Sequence, residues 1–288
     1  MSATYTAEQR VGWRFLTSRR WIGYYAMLLV FAIACALFGN WQFARRAEAQ
    51  AEIARIDRNY DSPPMPLAEV VPDRASFDEA TWKWQTVELH GEYIDEPLLA
   101  RNRPGPEGSG SVLVQTLRLD DGSVIFIDRG WVPIAGSEES TVQLPAAPSG
   151  EVAVTARLRA SEREVPGRTA SGRSVPQINA RQLAGITGTS DSAYLGVWGQ
   201  LVNEDPAGET GILPQRPERD EGPHLSYALQ WYVFILIAIG GTAYAARLEH
   251  RNLNGDDPAY DAQDRRRAER RKRRGPSDAD EEDALLDG

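Results

Sequence analysis

The chain has 288 residues, of which 32 are basic and 41 acidic, and its net charge at pH 7 is −9. This acidic balance disfavours nucleic acid as a partner, because nucleic-acid binding rests on clustered lysine and arginine. The only cysteine, Cys35, excludes an internal disulfide and a paired-cysteine copper or redox site. Arginine outnumbers lysine 30 to 2, which is typical of a bacterium with a GC-rich genome.

Two long segments, Trp21–Ala44 and Pro223–Ala246, contain no charged residue. A helix of 24 residues measures about 36 Å, enough to cross a hydrocarbon core of about 30 Å. Core helices of water-soluble domains rarely run this far without a charge. The first segment begins too late and runs too long for a cleaved signal peptide, and no small-residue cleavage site follows it. We therefore predict two transmembrane helices, the first an uncleaved anchor.

The charges that flank these segments predict their orientation. Four arginines lie in residues 10–20, and a basic run at 265–274 lies beyond the second segment. Basic flanks favour the cytoplasm, so both termini are predicted inside the bacterial plasma membrane. Arg45 and Arg46 argue against this, but they open a 178-residue loop, and long loops translocate largely regardless of charge. The predicted parts are a cytoplasmic segment (1–20), helix 1 (21–44), an extracytoplasmic domain (45–222), helix 2 (223–246) and a charged, disordered cytoplasmic tail (247–288).

The region between the two segments has the sequence pattern of a β-rich domain, and only residues 47–60 look helical, as a continuation of the first helix. The strongest signal is a hairpin over 111–133, in which β-branched runs flank Asp121-Gly122. Strict alternation predicts a strand over Glu151–Ala160, and further strands are predicted over 82–94 and 193–202. The segments "RPGPEGSGS", "LPAAPSGE" and "VPGRTASGRSVP" are interpreted as connectors. These patterns predict an α+β membrane protein whose two helices flank a small antiparallel barrel or sandwich.

The sequence contains little that indicates hydrolytic or bare-metal chemistry. It has no G-x-S-x-G motif, and its histidines are His90, His224 and His250. His90 falls at a strand position, where a packing role is the more common one, and His250 lies on the predicted inner side. A catalytic triad is therefore poorly supported, and a three-histidine metal centre is excluded unless carboxylates join it.

The outer ends of the two predicted helices carry polar and aromatic side chains at the same membrane depth. On the second helix, His224, Tyr227 and Trp231 follow helical spacing, and on the first, Trp41 and Arg45 share a face. One interpretation is an interfacial aromatic belt, which by pattern alone is favoured. The other is a haem site, in which neutral imidazole is an axial ligand, aromatic rings pack the macrocycle and arginine neutralises propionates.

Three blocks of the sequence resemble a known family. The first helix ends in Gly39-Asn40-Trp41-Gln42-Phe43-Ala44-Arg45, and the last block, Pro223 to Trp231, reads PHLSYALQW. The middle block contains Asn102-Arg103, the Asp121-Gly122 turn and Arg129-Gly130-Trp131-Val132-Pro133. In this order, and with this topology, the blocks resemble the Surfeit-locus-one family of cytochrome c oxidase assembly factors over nearly the whole chain.

The resemblance implies a non-enzymatic helper in the maturation of an aa3-type haem-copper oxidase, assisting haem a insertion into its catalytic subunit. It implies that His224 is the candidate axial ligand of haem iron. We add Trp41, Gln42 and Arg45, with Tyr227 and Trp231 on the second helix, as the remaining candidate haem-binding residues. Haem a synthase and the wider respiratory supercomplex are further candidate partners. Arg129 and Trp131 are expected to have structural roles at a strand end.

Two other functions follow from the same sequence. A structural accessory subunit could bind the oxidase without handling haem, using the polar helix ends as contacts between helices. Copper delivery would need a thiolate or methionine-rich site outside the membrane, but Cys35 lies in the first predicted helix and Met65 is the only methionine of the loop. Copper delivery is therefore disfavoured.

Overall fold

The computed structural model describes residues 11–133 and 144–254, together with residues 262, 265–266 and 268–270 of the charged tail. The predicted disordered tail, 247–288, is described at residues 247–254, where α5 continues to Leu253, and at six residues further on; for the rest of its length it stays a prediction. The chain divides into two compact units, one formed by residues 1–46 and 222–288 and the other by residues 47–221.

The described residues contain five α-helices and seven strands, preceded by a 3₁₀ turn at Trp13–Thr17. In chain order the elements are α1 (Arg19–Asn59), β1 (Met65–Pro66), α2 (Leu67–Val70), α3 (Glu79–Trp82), β2 (Thr86–Gly105), β3 (Gly108–Leu119), β4 (Val124–Val132), β5 (Glu151–Ala160), β6 (Ser174–Val175), α4 (Ala180–Thr187), β7 (Val197–Asp205) and α5 (His224–Leu253).

Two of these helices, α1 and α5, are long and apolar enough to cross a membrane. The predicted helical stretch at 47–60 is confirmed as a continuation of the first apolar segment, because α1 runs without a break to Asn59. The boundary between the two compact units, at residues 46 and 47, falls inside this helix. The described chain thus has two membrane-length helices that flank a sheet domain.

The sheet of the second unit is mixed. Antiparallel pairs join β2 to β3, β3 to β4, β5 to β7 and β2 to β5, whereas β4 pairs with β7 in parallel. The short strands β1 and β6 also add to β2 in parallel. The prediction of a β-rich domain is confirmed, but the sheet is not purely antiparallel as the sequence predicts. The reason is that β7 reaches β4 after a long connection that contains β5 and α4, and hairpin patterns reveal only neighbouring strands.

Local patterns predicted the strands well where each strand has one buried face. The hairpin of β3 and β4 turns at Gly122, whose φ is +81°, and β5 buries Val152, Val154, Ala156 and Leu158 on one face. The short elements β1, α2, α3 and β6 and the helix α4 were not predicted. The predicted connector at 103–111 is the tip of the β2–β3 hairpin, β6 lies inside the predicted connector at 165–176, and α4 follows that connector.

The glycines of that hairpin tip have a packing reason that the sequence alone does not display. A Cβ on Gly105 would lie 2.2 Å from the Trp131 ring, and one on Gly110 would lie 2.5 Å from it. The indole Nε1 of Trp131 donates to the carbonyl of Arg103 at 3.0 Å. The glycines therefore make room for a tryptophan from the neighbouring strand, which confirms the structural role expected for Trp131.

A buried ion pair joins β4 to β7. Arg129 is fully buried, and its Nη2 donates to Glu204 Oε1 at 2.6 Å and to the carbonyl of Glu209 at 3.0 Å. The hydroxyl of Tyr93 donates to Glu204 Oε2 at 2.8 Å, and the Arg129 guanidinium lies 5.0 Å from the Tyr93 ring centroid. Burial, together with the charge of Glu204, raises the pKa of Tyr93. The structural role expected for Arg129 is thereby confirmed.

A second buried carboxylate, Asp128, directly precedes Arg129 in β4. It forms no ion pair with any residue that the structure describes. Its Oδ1 accepts the backbone N–H of Gly130 at 2.8 Å. Burial raises the pKa of Asp128 to about 6, although the Gly130 and Gln200 hydrogen bonds and the charges of Arg159 and Arg103 act in the opposite direction. Ionised Asp128 therefore destabilises the folded state.

We predict that Arg129→Met lowers the free energy of unfolding by about 3–5 kcal/mol, because it leaves the Glu204 carboxylate buried without its charge partner. Chemical denaturation of the purified full chain measures this loss. The matched control is Arg118→Met, which breaks an ion pair with Glu92 whose side chains are both half exposed. The control should cost less than about 1 kcal/mol. An equal loss in both variants would contradict the role assigned to Arg129.

We predict a pH-dependent gain in stability for Asp128→Asn. The raised folded pKa means that the folded state binds more protons than the unfolded state between about pH 4 and 6, so the penalty of ionised Asp128 is full above pH 6 and disappears at low pH. The variant, which cannot ionise, should exceed the wild type by about 1–3 kcal/mol at pH 7.5. Denaturation curves of both proteins from pH 4 to 8 measure the difference, and a difference that grows toward low pH would refute the assignment.

Candidate functional site

A close contact between α1 and α5 is made at a glycine. A Cβ on Gly39 would lie 2.8 Å from Cε2 of Tyr232, so the ring rests directly on the backbone of α1. The hydroxyl of the same tyrosine donates to Asn40 Oδ1 at 3.1 Å, and Ala228, one turn earlier on α5, is fully buried. Small residues on paired apolar helices permit close backbone approach, and the polar bond adds direction to it.

Two turns before Tyr232, the helix pair is joined by a histidine and a glutamine. The Nδ1 of His224 lies 2.8 Å from Oε1 of Gln42. Because an amide oxygen can only accept, this bond places the hydrogen on Nδ1, and the neutral ring then carries its lone pair on Nε2. Among the residues that the structure describes, Nε2 has no hydrogen-bond partner, and it lies beside the backbone of Gly222.

Aromatic rings continue the contact from His224 toward the apolar part of the pair. Trp231 stacks on Phe38 of α1 with a centroid distance of 4.9 Å and an interplanar angle of 26°. Phe234 meets the same indole edge-on at 5.8 Å. The ring wall therefore begins two turns below the histidine and consists of side chains from both helices.

The predicted site residues separate into two groups. His224 and Gln42 touch each other, and Trp231 lies on the same contact face. Trp41 and Tyr227, by contrast, are 56% and 49% exposed, and Arg45 is also exposed. The helical spacing explains the difference: the contact face of α1 follows Cys35, Gly39 and Gln42, and Trp41 and Arg45 lie to one side of it.

Three residues of this cluster were not predicted, namely Phe38, Asn40 and Tyr232. Tyr232 lies eight residues after His224, which puts it on the same helix face, so the i+8 spacing could have identified it. The sequence of one helix does not show which residue of the other helix each aromatic ring contacts. Asn40 and Phe38 flank the glycine, and their roles become visible only when the rotation of α5 about its axis is known.

The opposite end of the helix pair is held by different chemistry. Glu249 of α5 accepts the indole N–H of the fully buried Trp21 at 3.0 Å and also forms an ion pair with Arg20. His250 stacks on Trp13 with a centroid distance of 4.1 Å. Asn254 exchanges two hydrogen bonds with the backbone of Val11, at 2.8 and 3.0 Å. Polar contacts therefore bracket the apolar middle of the pair at both ends.

The donor set around His224 fits a haem better than a bare metal ion. In the described part of the chain, no group of three or more histidine, cysteine, aspartate or glutamate side chains could hold a metal. A haem brings four nitrogen ligands of its own and asks the protein for one or two axial ligands. A histidine whose Nδ1 donates to a second residue, leaving Nε2 as acceptor, is the usual state of such a ligand.

Comparison with known proteins gives one family. The sequence model of the SURF1 (Surfeit-locus-one) family matches residues 29–236, which include both helix ends of the candidate site and the whole sheet domain. The match extends from the apolar part of α1 into α5.

Relatives of the chain have the same family designation. A protein of Mycobacterium bovis described as an uncharacterized SURF1-like protein is 32% identical over 244 residues, which cover 82% of this chain and 87% of the relative. A protein of Mycobacterium tuberculosis with the same description has the same identity and coverage. A SURF1-like protein of Monosiga brevicollis is 24% identical over 248 residues, 80% of this chain and 90% of its own length.

We predict that Gly39→Leu disrupts the helix pair, because a side chain at this position must displace the Tyr232 ring. The expected cost is about 1–3 kcal/mol, measured by thermal unfolding of the detergent-purified full chain. In a Tyr232→Ala background the same substitution should cost less, since the ring that it displaces is gone.

Gly23→Leu in the same helix is the matched control. A Cβ at Gly23 meets no atom within 4 Å, so this substitution should leave the unfolding midpoint unchanged or raise it. Equal effects at the two glycines, or an undiminished cost of Gly39→Leu after Tyr232→Ala, would show that the close contact does not hold the pair.

Proposed function

The chain belongs to the SURF1 family, which is generally linked to cytochrome oxidase assembly, and we propose that it assists haem a insertion into the catalytic subunit of an aa3-type oxidase. In this proposal the chain is a helper and not an enzyme. It holds the haem for transfer, and the oxidase uses it. Haem a synthase as donor and the respiratory supercomplex as the wider setting belong to the same proposal.

The proposal includes a membrane topology. The apolar parts of α1 and α5 cross the bacterial plasma membrane, with both termini in the cytoplasm and residues 45–222 outside. Basic residues on the terminal sides of both helices favour this orientation. The sheet domain is proposed to be a small barrel, because each of β2, β3, β4, β7 and β5 pairs with the next and β5 pairs again with β2.

One observation carries the haem proposal, the 2.8 Å bond between His224 Nδ1 and Gln42 Oε1. It joins two of the predicted site residues across two helices, and it leaves Nε2 as the nitrogen able to ligate iron. In the proposed topology this pair lies at the outer boundary of the membrane. The bound haem would supply a redox-active iron, and the chain's part is to ligate, orient and release it.

The other residues have supporting roles in this proposal. The stacked rings of Trp231 and Phe38 provide an apolar wall for the macrocycle. Arg45, exposed one turn beyond Gln42 in the water direction, is a candidate contact for a propionate. Trp41 and Tyr227, both on outer faces of the pair, are candidate rim contacts and equally suit an interfacial belt.

A second candidate function is a structural subunit that binds the oxidase without haem. The exposed aromatic side chains favour it, because Trp41, Phe43 and Tyr227 are 56%, 38% and 49% exposed near one end of the pair and offer a surface to partner helices. The two functions differ in cofactor content. Stoichiometric co-purification of a haem-free chain with mature oxidase would support the structural subunit.

We predict that the full chain, purified in detergent from cells that make haem a, shows a haem absorption band that His224→Ala reduces at least tenfold per protein. The physical reason is the loss of the only axial nitrogen of the cluster. Gln42→Leu should weaken haem retention by about 10–100-fold, because the ring loses the partner that fixes its tautomer. Visible spectra and the ratio of haem to protein measure both effects.

His250→Ala is the matched control, because this histidine stacks on Trp13 at the other end of the helix pair. It should leave the band intact. A band that survives His224→Ala unchanged would remove His224 as the ligand, and a wild-type chain without haem from haem a-producing cells would contradict the haem proposal as a whole.

A further inference from the structure

The sheet domain contains a cavity of about 440 Å³ that lies within the second compact unit. Its volume falls within the range of small-molecule sites. Two tryptophans, Trp131 and Trp198, line it together with four charged side chains, which are Arg103, Asp128, Arg159 and Glu162. The indole N–H groups are already used, since Trp131 donates to Arg103 O at 3.0 Å and Trp198 donates to Ala160 O at 2.9 Å. The two rings therefore offer only apolar surface to the cavity.

Two of the four charged groups, Arg103 and Glu162, pair with each other. Glu162 Oε2 accepts from Arg103 Nη2 at 2.5 Å and from the backbone N–H of Ile178 at 2.9 Å. This pair is structural: it ties β2 to the segment before α4. The charges of Arg103 and Glu162 cancel, so the charged groups left for a ligand are Arg159 and Asp128.

Arg159 is the positively charged group that remains for a ligand. Its guanidinium lies 4.1 Å from the ring centroid of Trp84 and 5.4 Å from that of Trp198. No hydrogen bond or ion pair joins it to any residue within the described ranges. Burial lowers its pKa, which reflects the cost of removing this cation from water. The two ring contacts use no N–H donor of the guanidinium, and a carboxylate is the geometric match for its forked donors.

Asp128 is the anion, and its side chain is only 3% exposed. One oxygen accepts the Gly130 N–H at 2.8 Å, and Gln200 lines the same cavity. Among the described residues it forms no ion pair, although Arg159 lines the same cavity. A buried carboxylate without a cationic partner is best satisfied by a positively charged donor.

We propose that this cavity binds a small zwitterion of the amino-acid class, with its carboxylate on Arg159, its ammonium on Asp128 and its side chain between Trp131 and Trp198. The cavity as a whole is electrically neutral, which favours a net-neutral ligand over a simple anion or cation. A ligand with both charges satisfies two desolvated groups at once, and either half alone satisfies only one. The inference is independent of haem handling, because none of its residues belongs to the helix pair.

The test is calorimetric titration of the detergent-purified full chain with the twenty common L-amino acids. At least one should bind saturably. For the tightest one, the matched amine without the carboxylate and the matched acid without the amino group should each bind at least tenfold more weakly. Absence of binding by all twenty, or a one-charge analogue that binds as tightly as the amino acid, would overturn the proposal.

Variants locate the site. Asp128→Asn keeps an oxygen that accepts the Gly130 N–H but removes the negative charge. Arg159→Lys keeps the positive charge but removes the paired N–H donors of the guanidinium. Each should weaken binding at least tenfold, while Arg118→Gln on the exposed Glu92 pair should leave the affinity unchanged. Circular dichroism verifies folding of each variant. A folded Asp128→Asn protein with wild-type affinity would overturn the assignment of the ammonium to Asp128.

Discussion

The contact on which the proposed haem site depends is the packing of Tyr232 against Gly39. With a ring on bare backbone, α1 and α5 approach closely enough for side chains two turns away to meet. His224 and Gln42 meet two turns of α5 away from this ring, where Nδ1 and Oε1 lie 2.8 Å apart. We expect a larger residue at position 39 to displace the Tyr232 ring and so to disturb this bond.

The ends and the middle of the helix pair are held by different interactions. Between two apolar helices in lipid there is no hydrophobic driving force, so packing and hydrogen bonds determine their association. Glu249 bonds to both Trp21 and Arg20 at one end, and the Asn40–Tyr232 and Gln42–His224 bonds lie toward the other. Within the described residues, the Nε2 of His224 has no hydrogen-bond partner. His250, at the other end of the pair, stacks on Trp13 instead.

The sheet domain contains both paired and unpaired charged side chains. Its buried ion pair, Arg129 with Glu204, is joined by the Tyr93 hydroxyl and a backbone carbonyl, although Arg129 Nη1 has no hydrogen-bond partner. Asp128 is buried and Arg159 is half-buried, and among the described residues neither forms an ion pair. Completed networks stabilise a fold, and incomplete ones cost stability that a ligand can restore. The unpaired charges of Asp128 and Arg159 support the binding role proposed for the cavity.

The sequence by itself determined the features that depend on local repetition: two membrane-length apolar helices, the alternating strand β5, the hairpin at Gly122 and the histidine at the start of α5. It also carried the motifs of the family. Tertiary structure decided the rest: the parallel β4–β7 pair, the reason for Gly105 and Gly110 under Trp131, and the choice of Gln42 over Trp41 as the residue that meets His224. The physical reason is that periodicity specifies which face of an element is apolar, whereas the neighbour of each face depends on packing between residues distant in the chain.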